Sequence, residues 1–305
     1  MQASQKTRDR DQLLAHILLF VTPAMFATNM LMARATTDLI PPVAQAFWRW
    51  LGVCLLLLPF CYRELWHHRA ALKRELPQLL VLGALGMGIC GALVYMGGAT
   101  TTATNIGLIY STSPVMVILL SRFWFGERMS QRQVLGVTLA LAGVLFIILK
   151  GAPDALRHLS FTPGDGLILI SSIAWALYSV LLLRWKSALR LTARLAAIAA
   201  CGVLVMLPFL GWETIAIGPA NFGDWRVSAA LATLVLVPGL GAYGTFGFIN
   251  QHLGPSRTGL MLYAAPIYTS VMAWLLLGEA FLFYHWAGAT LVLCGLFLAT
   301  HKPAK

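Results

Sequence analysis

Ten stretches of predominantly apolar residues follow one another along almost the whole chain. Each is about twenty residues long, the length at which a helix spans the hydrocarbon of a bilayer. In hydrocarbon every backbone N–H and C=O must find its partner inside the protein, which leaves helices and closed barrels as the only spanning structures. The stretches lie at about 13–33, 43–62, 77–96, 103–121, 131–150, 165–184, 191–211, 228–249, 256–276 and 281–300. They take roughly 200 of the 305 residues, so short loops and tails remain and no soluble catalytic domain fits. Charged residues make up 11% of the sequence, against about 25% in a soluble domain. A water-soluble enzyme, a disordered chain and a disulfide scaffold are excluded. The expectation is an all-α polytopic membrane protein.

The net charge of +11 does not form a nucleic-acid footprint, because Lys and Arg are scattered between apolar segments. They read instead as a topological signal. With the N-terminus cytoplasmic, 17 of the 22 basic residues fall in inside segments, 4 in outside segments, and Arg49 lies within a span. This bias predicts both termini in the cytoplasm of a cell inner (plasma) membrane and an even number of spans. The first stretch, preceded by Lys6, Arg8 and Arg10, is longer than a signal peptide's usual apolar run of about 7–15 residues and is read as a retained helix. Residues 1–12 are a cytoplasmic tail. All five cysteines lie in apolar segments without a CxxC pair, so no metal or cofactor is expected.

Residues 102–150 align without gaps on 254–302, an offset of 152. Pro114 matches Pro266, Gly126-Glu127 matches Gly278-Glu279, and Gly107, Gly136 and Gly143 match Gly259, Gly288 and Gly295. Earlier, Leu58-Pro59-Phe60 matches Leu207-Pro208-Phe209 at an offset of 149. The chain thus reads as two five-helix units, 13–150 and 165–302. Five is odd, so the units have opposite orientations in the membrane. Inverted repeats of this kind characterise secondary transporters, with the substrate site between the halves near the midplane.

These residues resemble the EamA-type proteins of the drug/metabolite transporter superfamily, and among them the YddG-like amino-acid exporters. The resemblance rests on Pro114, Gly126-Glu127, Gly136 and Gly143, on their counterparts Pro266, Gly278-Glu279, Gly288 and Gly295, and on Ala174-Trp175-Ala176 with Tyr178. Trp48-Arg49-Trp50 resembles the family's second-helix arginine; Phe26-Ala27 departs from the Trp-Gly pair common in the first helix. The resemblance implies ten helices around a central cavity and export of small metabolites, with amino acids preferred over nucleobases, drugs or other solutes. It also implies that Ser111, Ser113 and Trp175 line the cavity.

The residues add further candidates. Asn29, Tyr95, Asn105, Tyr110, Tyr178, Tyr243, Tyr263 and Tyr268 would make an aromatic pocket with a few hydroxyls, suited to a neutral or zwitterionic solute with apolar bulk. Arg49 either snorkels to an aromatic belt between Trp48 and Trp50 or binds a carboxylate or gates the path. Pro114 and Pro266 each remove an intrahelical bond and are hinge candidates. The glycines of the third and eighth stretches (Gly83, Gly86, Gly88, Gly91; Gly239, Gly241, Gly244, Gly247) favour close helix packing. Glu127 and Glu279 sit between spans, Glu127 beside a capping box with Ser130 and Gln133, so both are read as structural. The partners expected are a small-molecule substrate and the lipid bilayer, without nucleic acid, and the unit is a monomer. A channel-like facilitator is the second reading. A membrane-embedded enzyme lacks a cluster of His, Asp, Glu or Cys at one depth.

Overall fold

The computed structural model describes residues 2–113, 115–117, 119–120, 130–149, 162–253, 264–280 and 282–300. The described residues are helical with short connections and contain no strand. Helix α1 (Gln2–Ala35) is followed by α2 (Pro42–His67) and α3 (Arg69–Leu82), which runs through a π-helical segment, Gly83–Ile89, into α4 (Cys90–Gly98). Then come α5 (Ala103–Tyr110), α6 (Gln131–Ile148), α7 (Pro163–Arg184) and α8 (Leu191–Ala216). Helix α9 (Trp225–Leu234) passes through a second π-helical segment, Val235–Gly241, into α10 (Ala242–Leu253), before α11 (Ala265–Leu277) and α12 (Phe283–Thr300). Six helical runs are long and apolar enough to cross a membrane: Arg10–Ala35, Pro42–His67, Arg69–Gly98, Pro163–Leu182, Leu191–Ala216 and Trp225–Ile249. Val134–Ile147 and Ala265–Leu277 are shorter apolar helices. Phe60, Ile215, Trp225 and Phe283 stand largely exposed, a surface that suits hydrocarbon and not water.

Polar residues set where helices start. Thr102 caps α5 by accepting from the Asn105 N–H, and Thr162, followed by Pro163, caps α7 by accepting from the Asp165 N–H. Helix α2 opens on a proline pair that offers no cap of its own. Its first amides are satisfied from afar: Val43 N and Ala44 N donate to the two carboxylate oxygens of Glu213, at 2.9 and 2.7 Å. Glu213 lies in the last turn of α8 and is buried. The reciprocal contact runs at the other end, where Glu64 of α2 accepts from Arg190 N, the N-cap of α8, at 2.6 Å. Glu64 and Glu213 share the 149-residue offset of the Leu-Pro-Phe match. Each second helix of a half therefore closes its partner's N-terminus.

The π-helical segments obey the same symmetry. Gly83 and Val235, and Ile89 and Gly241, are each 152 residues apart. A π turn carries one extra residue and breaks the regular bond ladder. Each packs on the second helix of the opposite half: a Cβ at Gly83 would lie 2.5 Å from Gly202 N, and one at Gly52 would lie 2.6 Å from a Val235 methyl. Helices α6 and α12 also approach closely. A Cβ at Gly143 would lie 2.8 Å from Gly288 O, and one at Gly295 would lie 2.5 Å from Gly136 O. The Gly143–Gly288 and Gly136–Gly295 contacts are thus related to each other by an approximate twofold.

Replacing Gly143 with Val should force α6 and α12 apart and cost about 1–3 kcal/mol, the usual range for overpacking. The thermal midpoint of the detergent-purified protein should fall. Gly211→Ala is the control, since nothing lies within 4 Å of a Cβ there.

Candidate functional site

Where α1, α2, α4, α7 and α10 meet, polar and aromatic side chains gather around one buried cation. Arg49 lies about 10 Å along α2 from Pro42 at 1.5 Å per residue, yet it turns inward and is only 5% exposed. Snorkelling is thereby excluded. Its Nη1 donates to Asn29 Oδ1 at 2.6 Å and to the Tyr95 hydroxyl at 3.0 Å; the Tyr95 hydroxyl in turn donates to Asn29 Oδ1 at 2.9 Å. The guanidinium carbon sits 4.8 Å from the centre of the Trp50 ring. Both partners are neutral, so the arrangement orients the charge without cancelling it.

The aromatic wall continues from Trp50. Its ring meets Tyr243 edge-on at 5.7 Å, Tyr243 meets Trp175 at 6.4 Å, and Trp175 stacks on Tyr178 at 5.2 Å and 30°. Phe26 of α1 flanks Tyr243 at 5.9 Å. Deeper in α5, the Tyr110 hydroxyl bonds Cys90 Sγ at 2.5 Å, and Ser171 Oγ donates to Cys90 O at 2.9 Å. Both halves of the chain contribute: Asn29, Arg49, Trp50, Cys90, Tyr95 and Tyr110 from the first, Trp175, Tyr178 and Tyr243 from the second.

Other candidates fall elsewhere. Ser111 Oγ donates to Leu108 O of its own helix. Ser113 Oγ donates to Tyr110 O and bonds Ser172 Oγ at 2.9 Å, so it ties α7 to the stretch after α5. Tyr268 is half-buried on α11. Pro266 is the second residue of α11 as described and is buried. Pro114, Tyr263 and Glu127 lie outside the described residues.

A second polar cluster sits at the Pro42 end of the bundle and joins α5, α7 and α12. Buried Asp165 accepts from Thr101 Oγ1 at 2.5 Å, Thr162 Oγ1 at 2.6 Å and Asn105 Nδ2 at 3.5 Å. Asn105 Oδ1 accepts from His285 Nε2 at 3.2 Å, the tautomer assigned because Leu282 N donates to His285 Nδ1. Glu279 caps α5 through Ala103 N and Thr104 N at 2.8 and 3.2 Å. Asn105 therefore works in this latch and not in the aromatic wall. At the opposite end Glu75 accepts from Ser187 Oγ at 2.5 Å. Among the described residues no three His, Cys, Asp or Glu side chains converge as metal ligands. Sequence reasoning passed over Glu64, Glu213, Asp165 and His285; the 149-residue spacing of the two glutamates was the available signal.

The sequence matches the EamA-like transporter family twice, over residues 13–149 and 162–300. The chain belongs to that family. It is a multi-pass membrane protein that transports small molecules, and not an enzyme. Curated relatives include the uncharacterized transporter YyaM of Bacillus subtilis (strain 168), 27% identical over 273 residues and covering 88% of each chain. An uncharacterized transporter of Archaeoglobus fulgidus is 28% identical over 293 residues, 94% of this chain and 97% of its own. A Streptantibioticus cattleyicolor protein named a probable terminal-alkyne amino-acid exporter is 26% identical over 217 residues, 68% of this chain and 67% of its own. A solved crystal structure covers 94% of this chain and 97% of its own, with a TM-score of 0.62 and 20% identity, a likeness of fold.

Tyr95→Phe should remove a charge-assisted bond to a buried guanidinium, worth about 1.5–3 kcal/mol, and leave Asn29 without its second donor. Thermal unfolding in detergent should show a midpoint clearly below that of Tyr62→Phe, whose hydroxyl bonds only its exposed neighbour Arg63.

Proposed function

We propose that this family member is a ten-helix secondary transporter, two inverted five-helix units (13–150 and 165–302), that exports small metabolites by alternating access. Neutral or aromatic amino acids are the preferred cargo. The observation that carries this reading is the aromatic cluster around Arg49, to which both halves contribute. An alternating-access protein needs a site whose walls belong to bodies that move against each other. Glycine seams related by an approximate twofold support such bodies, because smooth, closely packed helix faces slide with little side-chain obstruction. The name of the Streptantibioticus cattleyicolor relative supports amino-acid export.

Trp175 is the wall residue to test. Expression in a bacterium with profiling of the excreted metabolites names the cargo, and counterflow in proteoliposomes then measures its affinity. Transport should saturate and exchange labelled for unlabelled solute; conduction without saturation would mean a pore. Trp175→Ala should raise the apparent Michaelis constant roughly tenfold, since a fully buried side chain contributes about 1.5–3 kcal/mol. Trp286→Ala, on the exposed side of α12, should change it far less. An unchanged constant in folded Trp175→Ala protein removes Trp175 from the site.

The inside-weighted Lys and Arg distribution supports both termini on the cytoplasmic side of the plasma membrane. Single cysteines at residues 3 and 304, in a background without the native five, should react with an impermeant maleimide only after the cells are opened. Labelling of one of them in intact cells refutes the topology.

A further inference from the structure

We propose that Arg49 and Trp50 together form a carboxylate-binding subsite, so that the solute carried is a carboxylic acid with apolar or aromatic bulk. This rests on the central cluster being the transport site. Two buried donors there have no hydrogen-bond partner: Arg49 Nε and Trp50 Nε1. They belong to consecutive residues of α2 whose guanidinium and ring stand 4.8 Å apart. A carboxylate has two oxygens and only acceptor capacity, so it can take a bond from each. A neutral amide or a phenol could accept from these donors too, but it would leave the charge uncompensated.

The charge itself asks for an anion. A guanidinium buried away from water is stable only when paired, and Arg49 has just a phenol and an amide as bonded partners. None of the described carboxylates pairs with it. Glu213 and Glu279 cap α2 and α5, Glu64 holds Arg190 N, Glu75 holds Ser187, and Asp165 holds Thr101 and Thr162. The ion pairs found among described residues, Arg226–Asp224 and His252–Asp11, lie elsewhere. A solute carboxylate supplies the missing negative charge. The rest of the solute would lie against Tyr243, Trp175 and Tyr178, which take an apolar body by area and an ammonium by cation–π attraction. Acid recognition is then obligatory, while an amine is tolerated and adds little.

Thermal stabilisation of the purified protein tests this with matched probes: phenylalanine, 3-phenylpropionate, phenylalaninamide and phenethylamine, and the same set built on leucine. The two acids of a set should stabilise, and the amide and amine should not. Trp50→Phe keeps a ring against Tyr243 but loses the donor. It should weaken acid binding about tenfold or more, the value of one hydrogen bond to a charged group, read as the ligand-induced shift from that variant's own ligand-free midpoint. Arg49→Gln should abolish the preference for acids over amides. Should Arg49→Gln fail to fold, the Trp50→Phe result decides alone. Equal stabilisation by amides, stabilisation by no acid, or acid binding unaltered by Trp50→Phe overturns the proposal. The metabolite profile separates the two levels: an exported solute without a carboxylate, sensitive to Trp175→Ala, overturns the subsite and leaves the transport reading intact. No exported solute at all overturns the transport reading itself.

Discussion

Helices that meet in hydrocarbon gain little from the hydrophobic effect, because lipid tails are as apolar as leucine, so close backbone approach and interhelical hydrogen bonds must hold the bundle. The facing glycines of α6 and α12 meet this demand most directly, with Gly143 on Gly288 O and Gly295 on Gly136 O. The same demand explains why the amides that open α2 and α5 are closed by Glu213 and Glu279 from distant parts of the chain. A helix end inside a membrane protein cannot leave its first donors to water. Capping across the bundle satisfies the backbone and joins separate helices with one carboxylate.

This division of labour accounts for the distribution of charge. Glu64, Asp165, Glu213, Asp224 and Glu279 sit at helix ends, in terminal turns or between helices and hold backbone or hydroxyl donors, as Glu75 does within α3, while Asp11 within α1 pairs with His252. Among the described residues Arg49 is the one buried Lys or Arg. Arg49 is surrounded by neutral groups that fix its direction, and its uncancelled charge gives the aromatic cluster a polarity that packing alone would not create. The latch of Asp165, Asn105 and His285 closes the Pro42 end above it, joining α5, α7 and α12.

Much of the architecture was legible in the linear chain. Apolar length located six long apolar helical runs, since a span is set by bilayer thickness and needs no tertiary partner, although α1 and α3 begin well before the expected starts. The matching of Gly136 and Gly143 to Gly288 and Gly295 marked the repeat, because a residue without a Cβ is tolerated in a helix at a cost and is retained where a close approach needs it. The residues of the site were legible one at a time, and their roles were not. Ser113 and Trp175 are both polar-tipped or aromatic and mid-span; one bonds a neighbouring helix and the other stacks in the wall. Asn105 looked like a pocket residue and belongs to the latch. Which way a side chain points depends on the rotation of its helix, and no local pattern in an all-apolar segment encodes that rotation.

By itself the sequence determined that the chain lives in a membrane, that it is helical, and that it repeats with an offset near 150 residues. Those properties follow from composition and spacing, which act along the chain. Only the tertiary structure decided that Arg49 faces inward, that Trp50 Nε1 lies beside it without a partner, and that Glu64 and Glu213 exchange caps between α2 and α8. These are contacts between residues far apart in the chain or on opposite faces of one helix. Their energies come from desolvation and hydrogen-bond geometry, which exist only once the two halves have packed.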